Sequence, residues 1–375
     1  MSLTEKDILD ACEEIDTLLL VGVGAKYHKK EGPLHHRFYE AAREKLGDKP
    51  LTYIAAEKIL EKVEPESTVL FLTGFMVPPW IRGETDGPPG TAVLARFLNL
   101  GLGVTPVIIT DREQKGIVAE TCKAAGLYVS ENIDRVKGIP TRALIDYFPI
   151  NEEKAKRKAQ EVLDKYNPSI IIAIERPGYN EKGVYHSRSG IDISPVTGKC
   201  DYIVELARDK GITTIGMVDG GNEIGCGLIL DTVKKYVLNA TKCRCPCGAG
   251  IAAVTATDIL IPAFISNWAA YGVEAALALI LNRPDLMHDG ESEKRIIDGC
   301  VRGGGTSSPL GTAEPLIDGL PNKYNVYIVE LLNYLVKSRT YETYAAQRYR
   351  EILKAPEEKI KRIHENIKKE AKYMQ

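Results

Sequence analysis

Four short runs in this chain are apolar almost without a break, and each leads into acidic residues. The runs are Thr68–Thr73, Val104–Thr110, Ser169–Ile174 and Ile212–Val218. A strand with one wet face alternates apolar and polar residues, whereas strands like these are buried on both faces, as in a parallel sheet covered by helices. Helix-period stretches separate them at Gly90–Leu100, Arg112–Ala125, Glu152–Tyr166, Cys200–Asp209 and Asn222–Val237. A more helical part comes next, with Asn267–Leu281, Glu291–Val301 and Tyr324–Val336. The expected fold is therefore α/β: a layered, largely parallel sheet flanked by helices, with a helical C-terminal extension. The expected division is residues 1–63 as an N-terminal elaboration, including a strand-like Thr17–Val23, 64–320 as the α/β domain and 321–375 as the extension.

Charge and hydropathy exclude several classes of function. Lys and Arg number 49 against 51 Asp and Glu, a net charge of -2, so no bulk field draws the chain to nucleic acid. The most apolar stretch, Thr68–Ile81, is too short to span a bilayer and is interrupted by Gly74, Pro78 and Pro79, so no membrane partner is expected. Acids between the apolar positions of residues 1–16 do not suit a secretory or transit peptide, and a cytoplasmic location with reduced thiols is the expectation. After Pro356, Ile360, Ile363 and Ile367 recur at helical spacing among charges. That narrow apolar face suits packing on the body or on a second subunit, which leaves a homo-oligomer open.

In open α/β sheets, ligands bind beyond the carboxyl ends of the strands, where loops gather. The first run leads to Glu84, Thr85 and Asp86 ahead of a Gly-Pro-Pro-Gly turn, the second to Asp111, the third to Glu175 and Arg176, and the fourth to Asp219. Asp111 alone reads as a cap or turn residue. The segment Gly216–Gly225 adds Glu223 four residues after Asp219, with Asn222 placed to cap a helix. The long polar excursion Ile174–Ser194 adds His186, Arg188 and Asp192. Such an excursion from a buried strand is more often an active-site loop than an idle connection. Glu84, Asp86, Glu175, Asp192, Asp219 and Glu223 thus form a carboxylate-rich set with one plausible meeting place. So many anions need compensating charge, and a hard divalent cation, Mn²⁺ or Mg²⁺ rather than Zn²⁺, is the usual solution. The alternative is ion pairing with Arg82, Arg176 and Arg188.

Other segments carry weaker signals. Arg302, Gly303 and Gly304 begin a glycine-rich loop suited to a small anion or simply to flexibility. Asn267 opens a long apolar helix and is either its cap or a pocket residue. Cys243, Cys245 and Cys247 share one face of an extended segment, which leaves a thiolate cluster open as an alternative, but no second cysteine pair accompanies them, so ordinary thiols are the expectation. Val21–Ala25 lacks the third glycine of a dinucleotide fingerprint, and neither NAD nor PLP is expected.

At these same segments the chain resembles the family formed by the C-terminal domain of D-glutamate cyclase and its stand-alone prokaryotic and archaeal relatives. The matching residues are Glu84-Thr-Asp-Gly-Pro-Pro-Gly90, Ile174-Glu-Arg-Pro-Gly178, Gly190-Ile-Asp-Ile-Ser194, Asp219-Gly-Gly-Asn-Glu-Ile-Gly225 and Ser266-Asn-Trp268, in the same order. The resemblance implies a domain whose full-length relative interconverts D-glutamate with 5-oxo-D-proline and water. That relative also carries a hydro-lyase-like N-terminal part with no counterpart here.

Three functions are compatible with these residues. The first is a Mn²⁺- or Mg²⁺-dependent hydrolase of the phosphatase type acting on a small anionic substrate. Glu175, Asp192, Asp219 and Glu223 would ligate the metal, and Glu84 and Asp86 would act as further ligands or base. Arg176, Arg302 or the glycines Gly303 and Gly304 would steady the anion, with Thr85, Asn222, Arg188 and Asn267 contributing to the pocket. The second is the cyclase reaction itself, and the third a non-catalytic metal- or ligand-binding module.

Overall fold

A computed structural model describes residues 3–22, 33–308, 310–340 and 352–372. Its helices are α1 (Glu5–Leu19), α2 (Leu34–Leu46), α3 (Leu51–Lys62), α4 (Pro88–Leu102), α5 (Lys115–Ala125), α6 (Glu152–Tyr166), α7 (Asp201–Asp209), α8 (Leu230–Tyr236), α9 (Ser266–Ile280), α10 (Gly290–Arg302), α11 (Asn322–Thr340) and α12 (Glu357–Ala371). The strands are β1 (Thr68–Thr73), β2 (Met76–Val77), β3 (Arg82–Gly83), β4 (Thr105–Thr110), β5 (Tyr128–Ser130), β6 (Arg142–Tyr147), β7 (Pro168–Ile174), β8 (Thr213–Val218), β9 (Ile259–Pro262), β10 (Leu316–Ile317) and β11 (Leu320–Pro321). Seven of them form one parallel sheet in the order β5-β6-β4-β1-β7-β8-β9. The α/β reading of the sequence therefore holds, and its four apolar runs are the adjacent central strands β4, β1, β7 and β8.

Strand periodicity of two splits those runs between two cores. Val69, Phe71, Ile108, Ile170, Ile172 and Met217 face the larger apolar cluster, which reaches from Ala11 in α1 to Val336 in α11. Leu70, Leu72, Val107, Ile109, Ile171 and Ala173 face a smaller one closed by α6 and α7. Helix α9 is apolar around most of its circumference, with Ser266 to Leu279 all buried, and it lies under α1, α3, α4 and α11. Among the described residues, no helix is long and apolar enough to cross a membrane.

Some elements differ from the sequence expectation. Thr17–Leu19 ends α1 instead of starting a strand, because Ala11, Cys12, Ile15 and Leu19 fall on one buried helical face. The helix expected from Asn222 does not begin there. Glu223 folds its carboxylate back onto the amides of Gly220 and Gly221 at 2.5 and 2.7 Å, and Gly221 and Gly225 take positive φ, so this stretch is a turn and α8 starts only at Leu230. Strands β5, β6 and β9 escape the apolar-run criterion. The first is a three-residue edge strand, the second has Arg142 and Asp146 in it, and the third ends on Pro262 at the other edge. The tail helix α12 forms as expected, with Ile363 and Ile367 exposed in the single chain. Residues 23–25 of the Val21–Ala25 segment lie outside the described residues.

One buried ion pair ties the carboxyl ends of three neighbouring strands together. Arg176, just past β7, pairs with Asp111, just past β4, at 2.8 Å, and both side chains are buried. Its Nη1 also donates to the carbonyls of Thr73 and Gly74 at the end of β1, and its Nη2 to that of Gly198. Asp111 is thus a strand-end clamp, not the simple turn residue its position suggested. Removing one partner leaves the other charge buried and unpaired, so Asp111→Ala should destabilise the fold by about 3–5 kcal/mol. Thermal and denaturant unfolding of the variant against the parent chain check this.

Candidate functional site

The chain departs in opposite directions from the sheet's centre. After β1 it builds β4, β5 and β6 on one side, then returns to β7, β8 and β9 on the other. Loops leaving β1 and β7 therefore diverge and open a crevice at their carboxyl ends, the usual ligand position in open α/β sheets. A cavity of about 520 Å³ lies there, lined by Glu84, Glu175, Arg188, Asp219, Asn222, Arg244 and Asp318, with Phe75 and the Val77–Trp80 segment on an apolar side.

The structure sorts the six predicted acids into three groups. Glu84, Glu175 and Asp219 face the cavity. Asp86 and Glu223 sit directly behind it as braces. Asp86 accepts from the amides of Gly87, Ser266 and Asn267, which pins the start of α9 to the β3–α4 turn. Asn267 answers by accepting from Gly87 and Gly90 and donating to the Thr85 carbonyl. The third group is Asp192 alone. It is exposed and caps its own turn through the Ser194 amide, so the structure does not bring it to the other acids.

Asp318 was not among the predicted residues. It projects from the turn between β10 and β11, where Asp318 and Gly319 both have positive φ. An Asp-Gly pair between apolar residues is a hairpin signal, and that was the available clue. Oxygens of Asp86, Asp219 and Asp318 lie within 4.8 Å of one another, as do those of Glu175, Asp219 and Glu223. Asp219 belongs to both groups and is their hinge.

The predicted anion-binding groups fare unevenly. Arg188 reaches the site, with Nη1 3.6 Å from Asp219 Oδ1. Asn222 lines the cavity and holds the His186 carbonyl at 2.9 Å. Arg176 is committed to its clamp and does not line the cavity. Arg302, at the end of α10, and the Gly303 and Gly304 that follow it do not line the cavity, and Gly303 closes against the backbone of Gly116 too tightly for any Cβ. Thr85 donates to the Leu316 carbonyl, joining the β10–β11 hairpin to the site from behind.

Burial pushes the Glu175 carboxyl well above the usual carboxylate range, and the charges of Asp219, Glu223, Glu84 and Asp86 push the same way. Asp219 is raised by burial first, then by Asp318, Glu223 and Asp86, with Arg188 opposing. Glu175 also has φ +45°, an unusual backbone state for a residue with a side chain, and its Oε2 accepts the Ser266 hydroxyl at 2.5 Å. Burial and mutual repulsion thus favour the neutral form of these two carboxyls, and a site that favours a neutral carboxylic acid among other carboxyl groups has candidates for both acid and base roles.

A family model for the D-glutamate cyclase-like C-terminal domain matches residues 42–333. The chain belongs to that family. Among curated proteins it is 28% identical over 221 residues to the human protein named D-glutamate cyclase, mitochondrial, covering 57% of this chain and 33% of the human one. This D-glutamate cyclase-like chain therefore spans about a third of that relative's length.

The raised carboxyls have a signed consequence for stability. A folded-state pKa above the unfolded value stabilises fully below the unfolded value, and that contribution is lost as pH rises through the folded one. In the presence of chelator, Glu175→Gln should therefore match the parent in thermal stability below about pH 4 and exceed it increasingly as the pH rises from there. Melting temperatures of both proteins across pH measure this, and a constant difference would contradict it.

Proposed function

We propose that this chain is a lyase-type cyclase acting on a short acidic amino acid, interconverting D-glutamate with 5-oxo-D-proline and water in the cavity over β1, β7 and β8. The observation that carries this reading is the mixed charge of the lining: Glu84, Glu175, Asp219 and Asp318 together with Arg244 and with Arg188 beside Asp219. An acidic wall suits an ammonium group and an arginine suits a carboxylate, so the two ends of an amino acid have complementary partners within one small pocket. Family membership and the human relative's name support the same substrate.

Ring closure makes a bond from the amine nitrogen to the γ-carboxyl carbon and breaks a carbon–oxygen bond there. Two protons leave nitrogen and two end on the departing oxygen, so acid and base roles must be filled within one site. Glu84 is assigned as the base that accepts from the ammonium. Glu175 or Asp219, protonated through burial and mutual repulsion, is assigned as the acid that protonates the leaving oxygen. Arg188 is assigned to the α-carboxylate.

A divalent cation, Mn²⁺ or Mg²⁺, is part of the proposal as a second means of neutralising the acids, held by Asp219 with Asp86 and Asp318 or with Glu175 and Glu223. Bound there it would polarise the γ-carboxyl. A phosphatase-type hydrolase draws no such support, since Arg176, Arg302, Gly303 and Gly304 do not line the cavity.

Incubation of the purified chain with D-glutamate, with and without EDTA or added Mn²⁺, should yield 5-oxoproline by chromatography. Asp219→Asn should lower the rate at least about 10²-fold, and Arg188→Ala should act mainly on KM. Absence of product under every metal condition would contradict the proposal.

A further inference from the structure

The three cysteines that lack a second cysteine pair in the sequence acquire a fourth partner in the fold. The segment between α8 and β9 turns so that Cys243 Sγ lies 3.4 Å from Cys245 Sγ and 3.2 Å from Cys247 Sγ. His186, from the long loop after β7, brings Nε2 to 3.2 Å from Cys245 Sγ and 3.5 Å from Cys247 Sγ. All four ligand atoms fall within 4.8 Å of one another, and no disulfide joins the thiols.

We infer that His186, Cys243, Cys245 and Cys247 form a structural Zn²⁺ site that staples the loop after β7 to the loop before β9. Tetrahedral zinc with Zn–S of about 2.3 Å and Zn–N of about 2.0 Å has ligand–ligand edges of about 3.5–3.8 Å, and the four contacts above lie within about 0.6 Å of those edges. Three thiolates and an imidazole are soft donors that select zinc over the hard cations suited to the carboxylate cavity.

The surroundings match a metal ligand set. A carbonyl can only accept, so the 3.1 Å contact from His186 Nδ1 to the Val184 carbonyl places the proton on Nδ1 and leaves the Nε2 lone pair facing the sulfurs. The Asn180 side-chain amide approaches Cys247 Sγ at 3.5 Å, and Lys182 Nζ holds the Cys247 carbonyl at 2.8 Å. Both supply positive potential beside a site that carries a net negative charge when filled.

The staple is independent of the carboxylate cavity but reaches it through the backbone. His186 is two residues from Arg188, and its carbonyl is held by Asn222. Arg244, between two of the thiols, donates its amide to the Gly190 carbonyl at 3.0 Å and lines the cavity mouth. Zinc at this site fixes the two loops that present Arg188 and Arg244.

Metal analysis of the chain purified under reducing conditions without chelator tests the site. The expected result is about one zinc per chain, retained in Asp219→Asn and lost in Cys243→Ser and Cys247→Ser. Because those variants could fail to fold, the parent chain is also refilled with Co²⁺. Tetrahedral ligand-field bands with thiolate charge transfer are expected, and the milder His186→Ala should change the band pattern. Zinc lost in Asp219→Asn but kept in the cysteine variants would overturn the inference. So would a disulfide among the three cysteines in freshly purified protein, or failure of the reduced chain to take up Zn²⁺ or Co²⁺.

Discussion

Four carboxylates facing one cavity is the constraint on which the rest of this structure depends. Glu84, Glu175, Asp219 and Asp318 are brought together by strand ends and a hairpin, in surroundings where like charges repel strongly. Such a group persists only if protons, a cationic ligand or a metal neutralises part of the charge, and if the backbone beneath cannot relax to separate the acids. The raised Glu175 and Asp219 carboxyls are the proton-based answer. Arg188 is the partial ionic one.

The restraint comes from the layer below. Arg176 and Asp111 lock the ends of β4, β1 and β7. Asp86 and Asn267 bind the first turns of α4 and α9 to each other, and Glu223 winds the Gly220–Gly221 turn around its own carboxylate. These are polar groups with their hydrogen bonds made inside the protein, and their satisfied partners keep the cavity acids within reach of one another. Several residues singled out in the sequence thus also brace the site, and their hydrogen bonds hold the cavity acids in place.

Sequence patterns reveal the central strands and the acids at their ends because both arise from local chemistry. Continuous apolar runs mean burial on two faces, and parallel strands deliver the residues at their carboxyl ends to one edge of the sheet. Direction is not encoded in this way. Asp192 and Asp219 are the same residue type, each within two positions of a glycine, yet one turns outward to the Ser194 amide and the other inward. Arg176 and Arg188 are separated only by twelve positions, and which one is consumed by Asp111 depends on strand order. Asp318 and the pairing of His186 with three distant cysteines depend on loop closure over many residues, which no local period encodes.

On the proposed mechanism, burial and mutual repulsion favour protons on the cavity acids, and the ammonium group of D-glutamate displaces one of them while another stays for the leaving oxygen. Calorimetric titration with D-glutamate at neutral pH, repeated in buffers of different ionisation enthalpy, measures that displacement directly. Binding should release protons from the parent chain, so the apparent enthalpy should vary with the buffer, and the release should diminish in Asp219→Asn. An enthalpy independent of buffer, or proton release unchanged in Asp219→Asn, would contradict the claim.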